Sequence, residues 1–269
     1  KEKDVVLQYR YTKKLSLINK KNELEKELQN LNDTEGSEEV IAKTNTELQK
    51  INKKIIKVTS RHIDQCKELF TFFGVPFVTS PGEAECLCAK LCKDDIVHGC
   101  ISEDTDILAN GSKKFIRNFN ASTNFVIEYN LNNILDSLVI TYSQFLDICI
   151  LCGCDYTGKI SGIGPLSAYK FIKMYGNLDN LIVNIKERTN PKLVKYTVPP
   201  YFEYKKAKQI FIETDKLIDS NKYKNSFSIS KPQILNLIDF LKKNTELLHT
   251  KYLKEINKSL FNYYSNLIN

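Results

Sequence analysis

Five carboxylates carry the chemistry that this sequence could perform. Glu83 and Glu85 fall in the first turn of a helix opened by Ser80 as N-cap, with Pro81 at N1 and Glu83 at N3. Asp104 and Asp106 follow the apolar run that ends at Ile101, and Asp155 stands between an apolar helix and a Gly-rich turn. Two apart in extended chain, Asp104 and Asp106 point the same way. Several carboxylates with no His nearby form an oxygen-only donor set, suited to Mg²⁺ or Mn²⁺ and not to zinc. Each acid also has a purely structural explanation. Glu83 can complete a capping box, and both Glu residues favour a helix N-terminus through its dipole. Asp104 can N-cap a helix beginning near Ile107, and Asp155 can close an Asx-turn. A helix turns Glu83 and Glu85 about 200° apart, so they share a site only where its first turn is viewed end-on.

The second chemical feature is the turn Asp155-Tyr156-Thr157-Gly158-Lys159-Ile160-Ser161-Gly162-Ile163-Gly164-Pro165. Gly162 and Gly164 permit a tight bend with exposed N–H groups, and Pro165 starts a helix whose positive end faces the same way. Such a turn can seat a phosphate by shape; it can equally be an ordinary helix–turn–helix corner. The cysteines offer a metal centre by count, with Cys86, Cys88 and Cys92 on one helix and Cys149, Cys152 and Cys154 near another. They lack a second ligand pair at zinc spacing, and Cys88 and Cys92 are i,i+4 on an expected buried face, so buried thiols are the expectation. His62, His98 and His249 are scattered and assemble no triad.

The elements that must position these groups follow from periodicity. Leu15, Ile18, Leu24, Leu28 and Leu31 keep helical spacing, as do Ile41, Leu48, Ile51 and Ile55, with turn chemistry at 32–37 between them. That predicts a helical hairpin over 1–64, which by itself is a coiled-coil or surface hairpin with solvated charges. Strands are predicted at 74–78, 96–101, 114–118 and 125–129, so strand, helix and acid-bearing strand end give an α/β layout. Helices are predicted at 143–152, at 165–175 closed by Gly176, and near 203–211, 231–243 and 245–265, with a break at Val198-Pro199-Pro200.

Composition narrows the class. The 269 residues carry 39 Lys and Arg against 32 Asp and Glu, a net charge of +7 that favours a polyanionic partner. No apolar run reaches the roughly 18 residues a membrane span needs, so no membrane role is expected. Eight Cys without a secretory pattern read as reduced thiols. The chain starts at Lys1 and holds a single Met, Met174, so a piece lacking its N-terminus is expected.

Three motifs together resemble one family, the structure-specific 5′ nucleases and within them the flap endonucleases. They are Gly74-Val-Pro-Phe-Val-Thr-Ser-Pro-Gly-Glu-Ala-Glu85, Ile101-Ser-Glu-Asp-Thr-Asp106, and Ile150-Leu-Cys-Gly-Cys-Asp-Tyr156 running to Gly162-Ile-Gly-Pro165. The resemblance continues through Tyr196-Thr-Val-Pro199 and 205–211, which favours flap endonucleases over the exonuclease and excision-repair branches, and weakens after about Asp215.

The resemblance implies an α/β, parallel-sheet, PIN-like nuclease core with a helical arch and a helix–two-turn–helix region. Four parts are expected: the arch at 1–64, the core at 65–142, the DNA-binding helices at 143–215 and C-terminal helices at 216–269. The activity implied is a 5′ flap endonuclease and 5′–3′ exonuclease acting on branched DNA in replication and repair. Glu83, Glu85, Asp104, Asp106 and Asp155 would then hold two Mg²⁺ ions about 4 Å apart, with Mn²⁺ able to substitute. Lys3 and Arg10 match, in spacing, basic residues that grip the scissile phosphate. Lys57 and the Gly162, Ile163, Gly164 and Pro165 turn would contact DNA, with K⁺ held by the turn's carbonyls. The family supplies two more Asp ligands and the first strand from sequence before Lys1, so the piece alone is expected to be impaired. A monomer in the nucleus, or in a viral replication compartment, is expected. A non-catalytic nucleic-acid-binding module is the alternative, and the intact carboxylates speak against it. Near the C-terminus, Asn257, Leu260, Tyr263 and Tyr264 stand at the spacing of a sliding-clamp motif, with Asn in place of Gln. Alternatively, Ile256, Leu260, Tyr263, Tyr264 and Leu267 form the apolar stripe of a packed terminal helix, which is the favoured assignment.

Overall fold

The computed structural model describes residues 4–34, 37–55, 58–120, 122–244 and 258. Lys3, Lys57 and the clamp-like residues Asn257, Leu260, Tyr263 and Tyr264 lie outside the described residues, as do the predicted helix at 245–265 and the side chain of Arg10. Along the chain run α1 (Asp4–Asp33), α2 (Glu38–Ile55), α3 (Ser60–Phe73), α4 (Ala84–Lys93), β1 (Cys100–Ile101), α5 (Asp106–Ala109), β2 (Lys114–Arg117) and β3 (Ile127–Asn130). Then follow α6 (Leu131–Leu138), α7 (Tyr142–Cys152), α8 (Pro165–Tyr175), α9 (Leu178–Glu187), α10 (Tyr204–Leu217) and α11 (Ile234–Asn244). Two compact units result, one drawn from 1–56 with 80–222 and one from 57–79 with 223–269.

In the first unit α1 and α2 pack as the predicted hairpin. Leu48 and Ile51 are buried on α2, and Lys20 Nζ reaches Glu47 Oε1 at 2.6 Å. The sheet is smaller than the pattern suggested, and mixed. Among the described residues it has the order β1-β2-β3, with β1 and β2 parallel and β2 and β3 antiparallel. The short link after β2 allows only a hairpin return, whereas β1 reaches β2 by a crossover through α5. Phe115 pairs in register with Tyr129, their rings 5.9 Å apart, and Phe115 is 1% exposed. The strand predicted at 96–101 shrinks to Cys100–Ile101. Asp95 takes a positive φ of 58°, and Ile96 and Val97 both donate to the carbonyl of Leu91, wrapping the end of α4.

The larger core of this unit lies among α7, α8, α9 and α10, where Leu146, Ile150, Leu151, Ile172 and Leu181 are almost wholly buried. Burying each such side chain contributes roughly 1.5–3 kcal/mol. Asp147 is also fully buried there. Its Oδ1 accepts from Lys208 Nζ at 2.6 Å and its Oδ2 from the Leu178 N–H at 3.2 Å, so one carboxylate joins α7, α9 and α10.

The second unit joins α3 to α11. Phe72 and Phe240 meet at 5.8 Å, and Gln65 Nε2 donates to Asn244 Oδ1 at 2.7 Å. The strand predicted at 74–78 does not form: Gly74 is the left-handed C-cap of α3, and the N–H groups of Gly74 and Val75 are taken by Thr71 and Phe70 carbonyls. Helix α3 thus packs on α11, and 57–79 group with 223–269, whereas the sequence division placed 65–79 with the core.

Candidate active site

Helix α4 starts three residues later than the Ser80 cap predicts. Ser80 Oγ donates to the Glu83 carbonyl at 3.1 Å and accepts from the Gly82 N–H at 3.3 Å, so it closes a turn ahead of the helix. Glu83 is itself the N-cap, with extended backbone (φ −65°, ψ 132°) and no capping bond from its side chain. The capping-box explanation therefore falls, and so does the 200° separation, because Glu83 leaves the helix where Glu85 enters it. Glu83 is exposed and Glu85 half-buried.

The loop after β1 is also tighter than extended chain. Thr105 is helical (φ −75°, ψ −12°) and caps α5, so alternation does not align Asp104 with Asp106. Instead Asp104 Oδ1 accepts the N–H of Asp106 at 2.9 Å, satisfying a donor at the start of α5. The Asp104 N–H in turn donates to Ser102 Oγ at 3.0 Å. Asp104 is exposed and Asp106 half-buried.

Asp155 lies in a turn closed by an antiparallel bridge between Cys154 and Thr157. That turn is tied down from the far side: Thr157 Oγ1 and the Gly158 N–H both donate to the Tyr201 carbonyl at 3.3 Å.

Packing then brings separate elements together. Helix α5 packs on α4 and on α7, and α10 packs on α4 and α7. At their meeting place is Tyr156, half-buried, its ring edge-to-face on Phe211 at 5.1 Å. Burial pushes the Tyr156 phenol above its usual range, and the neighbouring Cys86, Glu83 and Asp106 add to the shift. Cys154 feels Asp106 and Asp155 in the same way, its thiol raised first by burial. Glu83, Asp106 and Asp155, from three elements, thus act on one small neighbourhood. Asp104 adjoins it through Asp106, while Glu85 acts on Cys88 along its own helix.

The donor set fits a hard divalent cation in type: oxygen-only, and delivered from helix and loop ends. Among the described residues, however, no group of three or more His, Cys, Asp or Glu side chains is arranged to hold a metal ion. The fit lies in chemistry and placement, not in a preformed cage. The thiols fit no such role. Burial raises Cys149 and Cys100 to about 12, so both stay protonated. Cys92 is buried as expected, whereas Cys88 is exposed.

The Gly-rich turn keeps its backbone accessible. Gly162 sits at φ +81°, a region that favours glycine, and a Cβ there would touch the Tyr196 ring. Gly164 is the N-cap of α8, extended, with open space where a Cβ would be, and Pro165 occupies N1. Ile163 is 6% exposed, so its side chain belongs to the core and only its backbone adjoins the turn. Sequence reasoning missed Tyr156 as the hub, although it follows Asp155 directly, and missed α3, α6 and α9. For α3 the signal was present, in Thr59 before a helical spacing of Ile63, Cys66, Phe70 and Phe73 that ends at Gly74.

Comparison with known proteins bears on the same residues. The XPG I-region family model matches residues 74–155, which span Glu83, Glu85, Asp104, Asp106 and Asp155. Flap endonuclease 1-A of Sorghum bicolor is 34% identical over 244 residues, covering 89% of this chain and 62% of the relative. Flap endonuclease 1 of Glycine max is 36% identical over 229 residues, 84% of this chain and 58% of the relative. The chain therefore spans about three fifths of the length of these relatives. Among solved structures, the catalytic core of Rad2 in complex with DNA substrate matches with a TM-score of 0.59 at 27% identity, covering 70% of this chain and 65% of that one. Flap endonuclease-1 from Methanococcus jannaschii matches in fold with a TM-score of 0.59 at 23% identity, covering 83% of this chain and 64% of that one.

Proposed function

The chain belongs to the flap endonuclease family, and from that premise we propose that it serves a metal-dependent nuclease cutting DNA at 5′ flaps. What supports this reading is that the matched family region, 74–155, holds all five acids, with Glu83 and Asp106 both acting on Tyr156 and Asp106 and Asp155 both acting on Cys154. Carboxylates repel one another at close range, and a site that gathers them calls for a cationic partner.

With Asp104 and Glu85 they would hold Mg²⁺, two ions in all, with Mn²⁺ able to replace it. Bound there, such ions supply Lewis-acid stabilisation of the leaving oxygen and a water made acidic enough to attack the phosphate. The chain's own residues do the rest. The carboxylates orient and neutralise, Tyr156 shields one side of the site from water, and Lys3 and Arg10 grip the scissile phosphate. The α1/α2 hairpin would act as the arch for the single-stranded flap, with Lys57 contacting DNA near its end. The Gly162–Pro165 turn would seat a duplex phosphate on the free N–H end of α8, with K⁺ on its carbonyls. We propose a monomer working in nuclear replication and repair. Sliding-clamp docking through Leu260 and Tyr264 is tested by Leu260→Ala with Tyr264→Ala: weaker clamp binding without unfolding would support it, and unchanged clamp binding would dismiss it.

One experiment tests the main proposal in the full-length protein, since this piece alone should cut poorly without the two further Asp ligands: cleavage of a 5′-flap duplex with Mg²⁺, with EDTA, and by Asp104→Asn. Cutting that needs Mg²⁺ and is lost in Asp104→Asn is expected. Binding to flap DNA without cutting under any metal would favour the non-catalytic binding module.

A further inference from the structure

Glu103 stands in the same short motif as Asp104 and Asp106, yet both of its carboxyl oxygens are already engaged. Oε2 accepts from Arg117 Nε at 3.1 Å and from Arg117 Nη2 at 2.8 Å. Oε1 accepts the backbone N–H of Asn118 at 3.0 Å. Arg117 ends β2, and its guanidinium lies 6.0 Å from the centroid of the Phe115 ring, which the core holds. Asn118 adopts a positive φ of 59°, so its N–H points out of the strand at a fixed bend. On the other side of Glu103 the Ser102 N–H donates to the Ile116 carbonyl at 3.1 Å. From Ser102 the bonds continue to Asp104, and from Asp104 to Asp106.

We infer that Glu103 is a positioning residue that clamps the loop bearing Asp104 and Asp106 to the end of β2 through Arg117 and the Asn118 N–H. It is not itself a ligand, because binding a cation would cost it three charge-assisted bonds. Magnitudes separate this role from a merely structural one. Glu103 is 64% exposed in its side chain, and an exposed ion pair adds little to stability. Groups that orient metal-binding side chains typically change metal affinity about 10- to 100-fold. Loss of Glu103 should therefore be felt by the bound metal and hardly by the fold. The inference rests on the metal reading of the site proposed above.

The test measures Mn²⁺ binding by electron paramagnetic resonance, without DNA, for the wild type, Glu103→Ala, Arg117→Ala and the double variant. The Mg²⁺ concentration for half-maximal flap cleavage is measured in parallel. Each single variant should weaken Mn²⁺ binding about tenfold or more with little change in melting temperature, and the double variant should be no worse than either. Glu103→Gln keeps the acceptor for the Asn118 N–H, and should fall between Glu103→Ala and the wild type; it stands in if the Ala variant fails to fold. Variants within twofold of a wild type that binds Mn²⁺, or losses that simply add, would overturn the clamp and leave the metal reading intact. A wild type that binds no Mn²⁺ would overturn both.

Discussion

The ring of Tyr156 meets the ring of Phe211 edge to face, with centroids 5.1 Å apart and planes at 84°. This contact fixes the turn that holds Asp155 to helix α10, 55 residues further along the chain. Phe211 is 3% exposed. Phe211→Ala should cost about 3–5 kcal/mol by opening a cavity, and should let the Asp155 turn drift. Phe211→Leu, which refills much of the space, should cost less in denaturant midpoint yet still slow cleavage. Equal cleavage by the Leu variant and the wild type would show that ring geometry at this contact is immaterial to the site.

Asp104 and Asp106 predict a separation of chemistry from binding. In the full-length protein, Asp104→Asn or Asp106→Asn should lower single-turnover cleavage of a 5′-flap duplex by roughly 10³-fold, the equivalent of several kcal/mol of charge stabilisation. Affinity for the same DNA, and its fall with added salt, should change little, because that dependence reports phosphate contacts by basic groups. Filter binding at two salt concentrations measures the second quantity directly.

Two glycines should respond in opposite ways. A Cβ on Gly74, at φ +70°, would lie 2.0 Å from the Ser230 carbonyl oxygen, so Gly74→Ala should destabilise by at least about 1–3 kcal/mol. Gly164→Ala meets open space at an ordinary φ of −107°, and should cost less than about 1 kcal/mol. If duplex backbone approaches the start of α8, the same change should nevertheless weaken DNA binding. Thermal melting and an affinity titration on the one variant separate the two effects.

The buried pair of Asp147 and Lys208 should show the cost of an orphaned charge. Lys208→Met takes from a fully buried carboxylate its cationic partner, leaving it the Leu178 N–H, and should destabilise by about 3–5 kcal/mol. Asp147→Asn with Lys208→Met should recover part of that loss. Chemical denaturation of the single and double variants gives the coupling.

Acid should weaken a different contact. The Tyr204 hydroxyl donates to Asp179 Oδ1 at 2.7 Å, and with burial opposing, this bond and Lys205 hold the Asp179 carboxyl below its usual range. A lowered folded pKa means that the contribution is present above the unfolded value of about 3.9 and lost as pH falls through the folded one. Asp179 is largely exposed, so screening limits the effect to roughly 0.5–1 kcal/mol. Asp179→Asn should therefore melt earlier than the wild type at pH 7, and the gap should narrow as pH falls below about 3.9.

What the sequence by itself determined is local and chemical. Carboxylates beside apolar runs, with no His near, named the donor type, and the Asn32–Ser37 break with helical spacing on either side named the hairpin. Pro165 and Gly176 bounded α8 to the residue, because capping depends on a few neighbouring atoms. The family followed from three motifs in order. Tertiary structure alone decided how those acids are held. Glu83 became an N-cap because Ser80 turned back on its carbonyl, and Asp104 and Asp106 met through a backbone bond where alternation had aligned their side chains. The strand predicted at 74–78 lost the N–H groups of Gly74 and Val75 to α3. Tyr156 became the hub only through Phe211, and Glu103 found Arg117 only through the β1–β2 pairing. Spacing along a chain fixes which groups can cap, turn or alternate. Which of them meet across the core depends on long-range packing, whose free energy is spread over many side chains and has no local period to read.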